Sequence, residues 1–324
     1  VNPMFVKDRG SLSKIVHQEK IYDDFKRENL LPNKLSQLGS GVSWGDIDGD
    51  GDDDIFVGGS KGFPSTLYIN NGKQKFENKF QPVFINDSKY EDMGSVFFDP
   101  DRDGDLDLFV VSGGVECEPG DPILQDRLYI NDGNGNFGRA AEGLIPKLNE
   151  SGSVVSVADI NQDGRDDLLI GGRTVPGNYP SSPRSFILIN SGARFINETQ
   201  KVAPSLANAG MVTSAIFSDV NNDDWPDLLV TYEWGPVRFY LNDKGRLSDK
   251  TSMVGLDSKI GWFSSISPGD IDNDGDIDFI VGNTGYNTKY KASYLNPEIL
   301  YYGDFEGNGK KNIVEAKFED NVCF

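Results

Sequence analysis

The sequence predicts an all-β fold, a β-propeller of four-stranded blades, on three observations. An acidic loop motif recurs six times along 324 residues, a second motif trails it in four of those repeats, and apolar runs of strand length flank both. The first loop, "DIDGDGDDDIFVGG" (46–59), carries six aspartates in nine positions and then turns abruptly apolar. It returns as "DPDRDGDLDLFVVSGG" (99–114), "DINQDGRDDLLIGG" (159–172), "DVNNDDWPDLLVTY" (219–232), "DIDNDGDIDFIVGN" (270–283) and, more weakly, "DFEGNGKKNIVEAK" (304–317). The starts lie 53, 60, 60, 51 and 34 residues apart, so each unit is larger than one metal loop.

The elements of a unit follow in chain order. Ahead of the loop stand short runs of small and β-branched residues such as "GVSWG", "SVFF", "VVSVA" and "SAIFS". After it come "IFVGG", "LFVV", "LLIGG", "LLVT" and "FIVG", read by length and composition as buried strands. The trailing motif, "LYINNGKQKF" (67–76), "LYINDGNGNF" (128–137), "ILINSGARF" (187–195) and "FYLNDKGRL" (239–247), supplies a third strand, a turn signal and the start of a fourth. Helical periodicity is scarcely visible outside residues 15–30.

Composition narrows the function classes. Asp and Glu outnumber Lys and Arg by 51 to 31, for a net charge of −20. That balance argues against nucleic acid, whose phosphates need clustered Lys and Arg, and against anionic membrane surfaces. Thirty-six aromatic residues argue against disorder. Only Cys117 and Cys323 are present, which excludes a disulfide framework and a thiolate zinc site and leaves their pairing open. No apolar run approaches a membrane span. The first residues lack an initiator methionine and a signal-peptide core, and the last follow closely on a repeat motif. A piece of a longer chain with other domains is therefore expected. Residues 1–38 form an N-terminal segment able to give outer strands to a closing blade, and 39–324 form the repeats.

Counted from its first Asp, each loop offers side-chain oxygens at positions one, three, five and nine. These are Asp46, Asp48, Asp50 and Asp54, then Asp99, Asp101, Asp103 and Asp107, then Asp159, Asn161, Asp163 and Asp167. The fourth and fifth loops give Asp219, Asn221, Asp223 and Asp227, and Asp270, Asp272, Asp274 and Asp278. Position seven (Asp52, Asp105, Arg165, Trp225, Asp276, and Lys310 in the sixth loop) can add a backbone carbonyl. Hard oxygen donors in this number suit Ca²⁺, which takes roughly 6–8 of them. Zinc would need nitrogen or sulfur, and His17 is the sole histidine. Glycine at position six (Gly51, Gly104, Gly164, Gly275, Gly309) meets the need for positive φ, and Asp224 stands there in the fourth loop. An EF-hand would need a Glu at position twelve and flanking helices; Val57, Val110, Ile170, Val230 and Val281 stand there instead. The sixth loop, with Asp304, Glu306, Asn308 and Asn312, is poorer in charge, so five Ca²⁺ sites and a weaker sixth are expected.

These loops resemble the FG-GAP or VCBS repeats of integrin-α-type β-propellers, across about residues 40–316. The segments "GGRTVPGNYPSSPRS" (171–185) and "LLPNKLSQLG" (30–39) further resemble bacterial VCBS proteins associated with ASPIC/UnbV domains. The resemblance implies calcium loops joining the first two strands of each blade. It also implies a seven-bladed family type with about six blades represented here, a six-bladed ring being the alternative. An extracellular protein- or glycan-binding adhesion module is the function expected, with a carbohydrate-active lyase or hydrolase on the same scaffold as the alternative. Recognition would then fall on the connections opposite the calcium loops, which carry Phe63, Arg173, Tyr179, Tyr232, Trp234 and Tyr286. For catalysis, Asp121, Asp126 and Glu233 lie on that face, but nothing in the sequence marks them as a pair.

Overall fold

Each acidic loop turns a strand back on its neighbour, and the antiparallel pairs so formed grow into sheets. The computed structural model describes residues 10, 12, 15–72, 75–285, 288–293, 295–307, 311–319 and 322–324. Its first sheet joins Val42–Gly45, Asp54–Val57, Thr66–Asn70 and Phe76–Lys79 in chain order. The second joins Asp92–Phe98, Asp107–Ser112, Arg127–Asn131 and Phe137–Arg139. The third joins Ser151–Ala158, Asp167–Thr174, Phe186–Asn190 and Phe195–Asn197. Met211–Ser218, Asp227–Glu233, Arg238–Asn242 and Leu247–Asp249 build the fourth. The fifth and sixth loops sit in two-stranded pairs, Phe263–Gly269 with Asp278–Asn283 and Ile299–Gly303 with Asn312–Ala316. This all-β meander of repeated antiparallel sheets is a β-propeller architecture.

The second strand of a blade is buried throughout because both its faces are covered. Every residue of Asp54–Val57, Asp107–Ser112 and Asp167–Thr174 is buried. First strands of successive blades lie side by side, 42–45 by 92–98, then 151–158, 211–218 and 263–269. Their approach is close enough to require glycine. A Cβ on Gly94 would stand 2.8 Å from the Ser153 carbonyl oxygen, and one on Gly41 2.7 Å from that of Met93. Between blades the sheets share cores: Phe98, Phe109 and Val111 of the second pack on Val155, Leu168 and Ile170 of the third.

Residues ahead of Val42 depart from expectation. Their described part forms no outer strand; it holds one helical turn, Asp24–Arg27, and crosses the strand ends opposite the acidic loops. Asp24 accepts hydrogen bonds from the Leu35 and Ser36 amides, each at 2.9 Å, which folds the segment on itself. Arg27 donates to the Val115 and Cys117 carbonyls at 2.9 and 2.6 Å, and Glu28 accepts from the Tyr179 amide at 2.7 Å. Leu31 and Leu35 pack with Val115, Tyr179, Met211 and Ile313. The segment thus packs on the second, third and fourth blades on that face. Cys117 and Cys323 are not joined, and no helix among the described residues is long and apolar enough to cross a membrane.

A buried ion pair within the second blade also anchors the end of the first. Arg127, with its side chain 1% exposed, donates to Asp92 and to Tyr129 Oη, and its guanidinium lies 4.4 Å over the Tyr90 ring. Asp92 also accepts from the Gly59 amide at 2.8 Å. Asp92→Ala would strand a buried cation and is expected to cost about 3–5 kcal/mol in urea unfolding. Lys75→Ala, which breaks only the exposed pair with Glu77, should stay within about 1 kcal/mol. A second measurement concerns pH. Burial raises the Glu91 carboxyl to about 7, with Glu19, Glu116 and Asp92 adding to the shift against the Lys61 amide bond. The folded state therefore holds this proton more tightly than the unfolded chain, whose Glu pKa is about 4.3. Its contribution is complete below that value and is lost as pH rises through about 7. Urea midpoints taken from pH 4.5 to 7.5 should show a falling component that Glu91→Gln removes.

Candidate metal centres and the opposite face

Carboxylates at alternate positions of a tight loop converge. Asp46, Asp48 and Asp50 bring oxygens within 4.8 Å of one another, as do Asp99, Asp101 and Asp103, and Asp270, Asp272 and Asp278. At an effective dielectric of 20, two such charges repel by about 3–4 kcal/mol. Backbone N–H groups offset part of this. Position one takes up several: Asp46 Oδ1 accepts from Gly49 and Asp50 at 2.8 and 3.1 Å, and Oδ2 from Gly51 at 2.9 Å. Asp159, Asp219 and Asp270 hold their own position-six amides at 2.7, 2.8 and 3.2 Å. Position five accepts the amide of position seven, from Asp52, Asp105, Arg165, Trp225 and Asp276 in turn. In the third and fourth loops Asn161 and Asn221 stand at position three, each accepting the position-five amide through Oδ1.

The loop backbone is left-handed twice. Position six has positive φ as the sequence requires, including Asp224 at 67°. Position four does too, at Gly49, Arg102, Gln162, Asn222 and Asn273, with φ between 56° and 76°. Only the glycine and the two asparagines hinted at this, because Arg and Gln seldom adopt that region.

Position nine does more than the spacing indicated. Asp54, Asp107, Asp167 and Asp227 are at most 1% exposed. Each accepts through Oδ1 from the Asn that ends the third strand: Asn70 and Asn131 at 2.7 Å, Asn190 and Asn242 at 2.8 Å. In four loops the position-nine Oδ2 accepts the amide of position two, from Ile47, Ile160 and Val220 at 3.1–3.2 Å and, in the fifth, from Ile271 at 3.0 Å. In the second loop position two is Pro100, which has no N–H, and Asp107 Oδ2 is buried without a hydrogen-bond partner. Asp48 Oδ1 and Asp105 Oδ1 are orphaned likewise. Burial drives the Asp54 carboxyl up to about 6 and those of Asp107 and Asp167 to about 7, against the lowering effect of these amide bonds. Hard oxygens, converging and lacking donors, fit a divalent cation. Of the sixth loop, Asp304, Glu306 and Asn312 are described, whereas Asn308 and Lys310 lie outside the described residues.

The third-strand Asn is the functional residue that the sequence reading missed. Its side-chain amide reaches into the loop of the preceding blade: Asn131 to the Ile47 carbonyl at 2.8 Å, Asn190 to Pro100 at 2.8 Å, Asn242 to Ile160 at 3.0 Å. The signal was the invariant final letter of "LYIN", "ILIN" and "FYLN" within this chain.

The opposite face holds the expected recognition residues unevenly. Tyr232 is a correction: at 1% exposure it points into the core and pairs its hydroxyl with Tyr240 at 3.3 Å. Arg173 and Tyr179 are 7% and 3% exposed and both bond Glu233, Tyr179 Oη at 2.6 Å. Burial raises the Tyr179 phenol far above its usual range, and Glu233 adds to the shift. Phe63 is half-buried, Trp234 is half-buried, and Tyr286 lies outside the described residues. The three acids have structural partners: Asp121 caps Ile123, Asp126 accepts the Ser112 amide, and Glu233 is neutralised by Arg173.

Comparison with known proteins places the repeats. The profile of the FG-GAP-like repeat matches residues 46–110, 111–170 and 186–281, and no curated protein sequence matches the chain. Among solved structures, the exotype rhamnogalacturonan lyase YesX is 13% identical, with TM-score 0.36 over 86% of this chain and 62% of that one. The Vibrio cholerae (V. cholerae) biofilm matrix protein Bap1 is 16% identical, with TM-score 0.38 over 87% of this chain and 38% of that one. The Dos1 propeller is 10% identical, with TM-score 0.41 over 75% and 64% of the two chains. The chain therefore spans less than two thirds of the length of each of these three. With the repeat profile covering more than half of its residues, the chain belongs to the FG-GAP-like repeat family.

Proposed function

We propose that this chain is a calcium-stabilised propeller that works outside the cell as a protein- or glycan-binding module, with its ligand on the face away from the metal loops. The observation that carries the reading is the unpartnered Asp107 Oδ2, buried where four sister loops place an N–H and Pro100 cannot. A cation is the partner that serves all the loops alike. Calcium is favoured over zinc because every donor is a hard oxygen and over magnesium because nine-residue wraps of carboxylate and carbonyl suit its larger shell. Asp46, Asp48, Asp50 and Asp54, with the Asp52 carbonyl, would hold the ion in the first loop, and equivalent residues in the others. The bound ion supplies neutralisation: six would move the net charge from −20 to −8. Loops that bind calcium in the sub-millimolar to millimolar range fill outside a cell and stay mostly empty in cytosol, which supports an extracellular setting.

Chelation should lower the melting temperature and added calcium should restore it, each site at a hundredfold excess over Kd adding about 2.7 kcal/mol. A melting curve indifferent to both would refute the reading. In titration calorimetry, Asp50→Ala is expected to remove one site and leave the others filled. Loss of all sites together would show instead that the loops act as one unit.

A further inference from the structure

Three half-exposed aromatic rings meet on the face opposite the metal loops. Trp234 follows the second strand of the fourth blade, Trp262 precedes the first strand of the fifth pair, and Tyr290 follows that pair's second strand. Each therefore stands at the strand end away from its acidic loop. Their centroids are 5.3 Å apart for Trp234–Trp262, 5.7 Å for Trp234–Tyr290 and 6.0 Å for Trp262–Tyr290. A short ladder, Gly235 opposite Gly261, sets the two indoles side by side. We propose that Trp234, Trp262 and Tyr290 form a saccharide-binding subsite, on which a pyranose ring stacks its C–H face. The proposal rests on the binding-module reading and names its ligand class.

The polar ends of two of the rings are already spoken for. Trp234 Nε1 donates to Tyr179 Oη at 2.5 Å, Tyr179 donates to Glu233, and Glu233 pairs with Arg173. Tyr290 Oη donates to Glu315 at 2.5 Å, and Lys289 Nζ lies 2.6 Å from the same carboxylate. Fixing the tips fixes the ring orientations before a ligand arrives, which lowers the ordering cost of binding. Trp234 has φ +61°, a conformation that costs a bulky residue of order 1–3 kcal/mol and persists only when the surroundings impose it. Arg173, Tyr179 and Glu233 are thus positioning residues, and the rings are the contact surface.

The chemistry of the patch selects the ligand class. A cation cage needs a gap between rings, and these rings are in contact with one another. An apolar protein side chain would meet a rim of charge, with Lys289 61% and Glu315 29% exposed. A sugar answers both features, since its C–H face lies on aromatic rings and its hydroxyls bond to the ammonium and carboxylate at their edge. The N-terminal segment bonds to the second and third blades on this side and shares a core with Met211 of the fourth, against which Trp234 packs, and all three rings remain half-exposed beside it.

The test is native gel electrophoresis of the calcium-loaded chain in laminarin, β-1,4-galactan, xylan and polygalacturonate, with tryptophan fluorescence read during titration of the retarding polysaccharide. Retardation in at least one matrix is expected, weakened more than tenfold by Trp262→Ala and by Tyr290→Ala and less than threefold by Trp262→Phe. Trp44→Phe, far away on the first blade, should change nothing. A calcium-dependent melting temperature close to that of the parent chain certifies that each variant folds. Retardation in none of the four matrices, or retardation that Trp262→Ala leaves intact, overturns the subsite; in the first case the rings are a contact for another protein surface. Should calcium stabilisation persist without sugar binding, the subsite alone fails. Should calcium stabilisation itself be missing, the underlying reading fails independently.

Discussion

The rest of this structure depends on one buried carboxylate in each four-stranded blade, the aspartate at position nine of the first four acidic loops. It ends the loop, begins the second strand and sits in the core at almost zero exposure. A carboxylate so placed is tolerated only when hydrogen bonds or a cation meet both oxygens. One oxygen holds the third strand through its terminal Asn amide, and the other holds the loop at position two. The same Asn then extends its side chain to the neighbouring loop. Loop, hairpin and adjacent blade are therefore parts of one polar unit, repeated along the arc. Asn70, in the first repeat, turns instead to the Asp53 carbonyl of its own loop at 3.2 Å.

Strand direction separates the two ends of each blade chemically. Hairpin loops with concentrated negative charge occupy one end, while longer connections with aromatic and basic residues occupy the other. The second kind is held by buried pairs, Arg127 with Asp92 and Arg173 with Glu233. Arg173 keeps Nη1 without a hydrogen-bond partner, so this network is not fully satisfied. Such pairs add little net stability over an apolar core, but they are severe when broken, and that fixes the orientation of everything attached to them. Trp234 is attached in this way, through Tyr179. A scaffold stabilised at one end thus presents a preorganised surface at the other.

Much of this was legible in the chain because repetition multiplies a weak signal. The period-two spacing of Asp46, Asp48 and Asp50 needs only a tight turn to converge, and a tight turn is local. The strands after each loop are apolar runs of the right length, and they fall where the runs lie. Less legible were positions whose role depends on a second segment. Tyr232 looked like a recognition residue from its place after a strand, but it extends that strand and faces the core against Tyr240. Trp262 and Tyr290 gave no signal of their own, because their meeting with Trp234 joins residues from two blades and three connections. The described residues before Val42, expected to give outer strands to a closing blade, form a strap instead, since Arg27 finds loop carbonyls rather than a sheet edge.

By itself the sequence determined the all-β repeat, the loop chemistry and the side of the blade on which the acids fall. All three follow from spacing along a few consecutive residues, which backbone geometry converts directly into direction. Tertiary structure alone decided which carboxylate oxygens are buried without donors, which asparagines staple one blade to the next, and which aromatic rings remain at the surface. The asparagine staples join residues 82 to 90 apart and the rings come from three separate connections, and no local spacing encodes how far a neighbouring strand stands or what it offers in return.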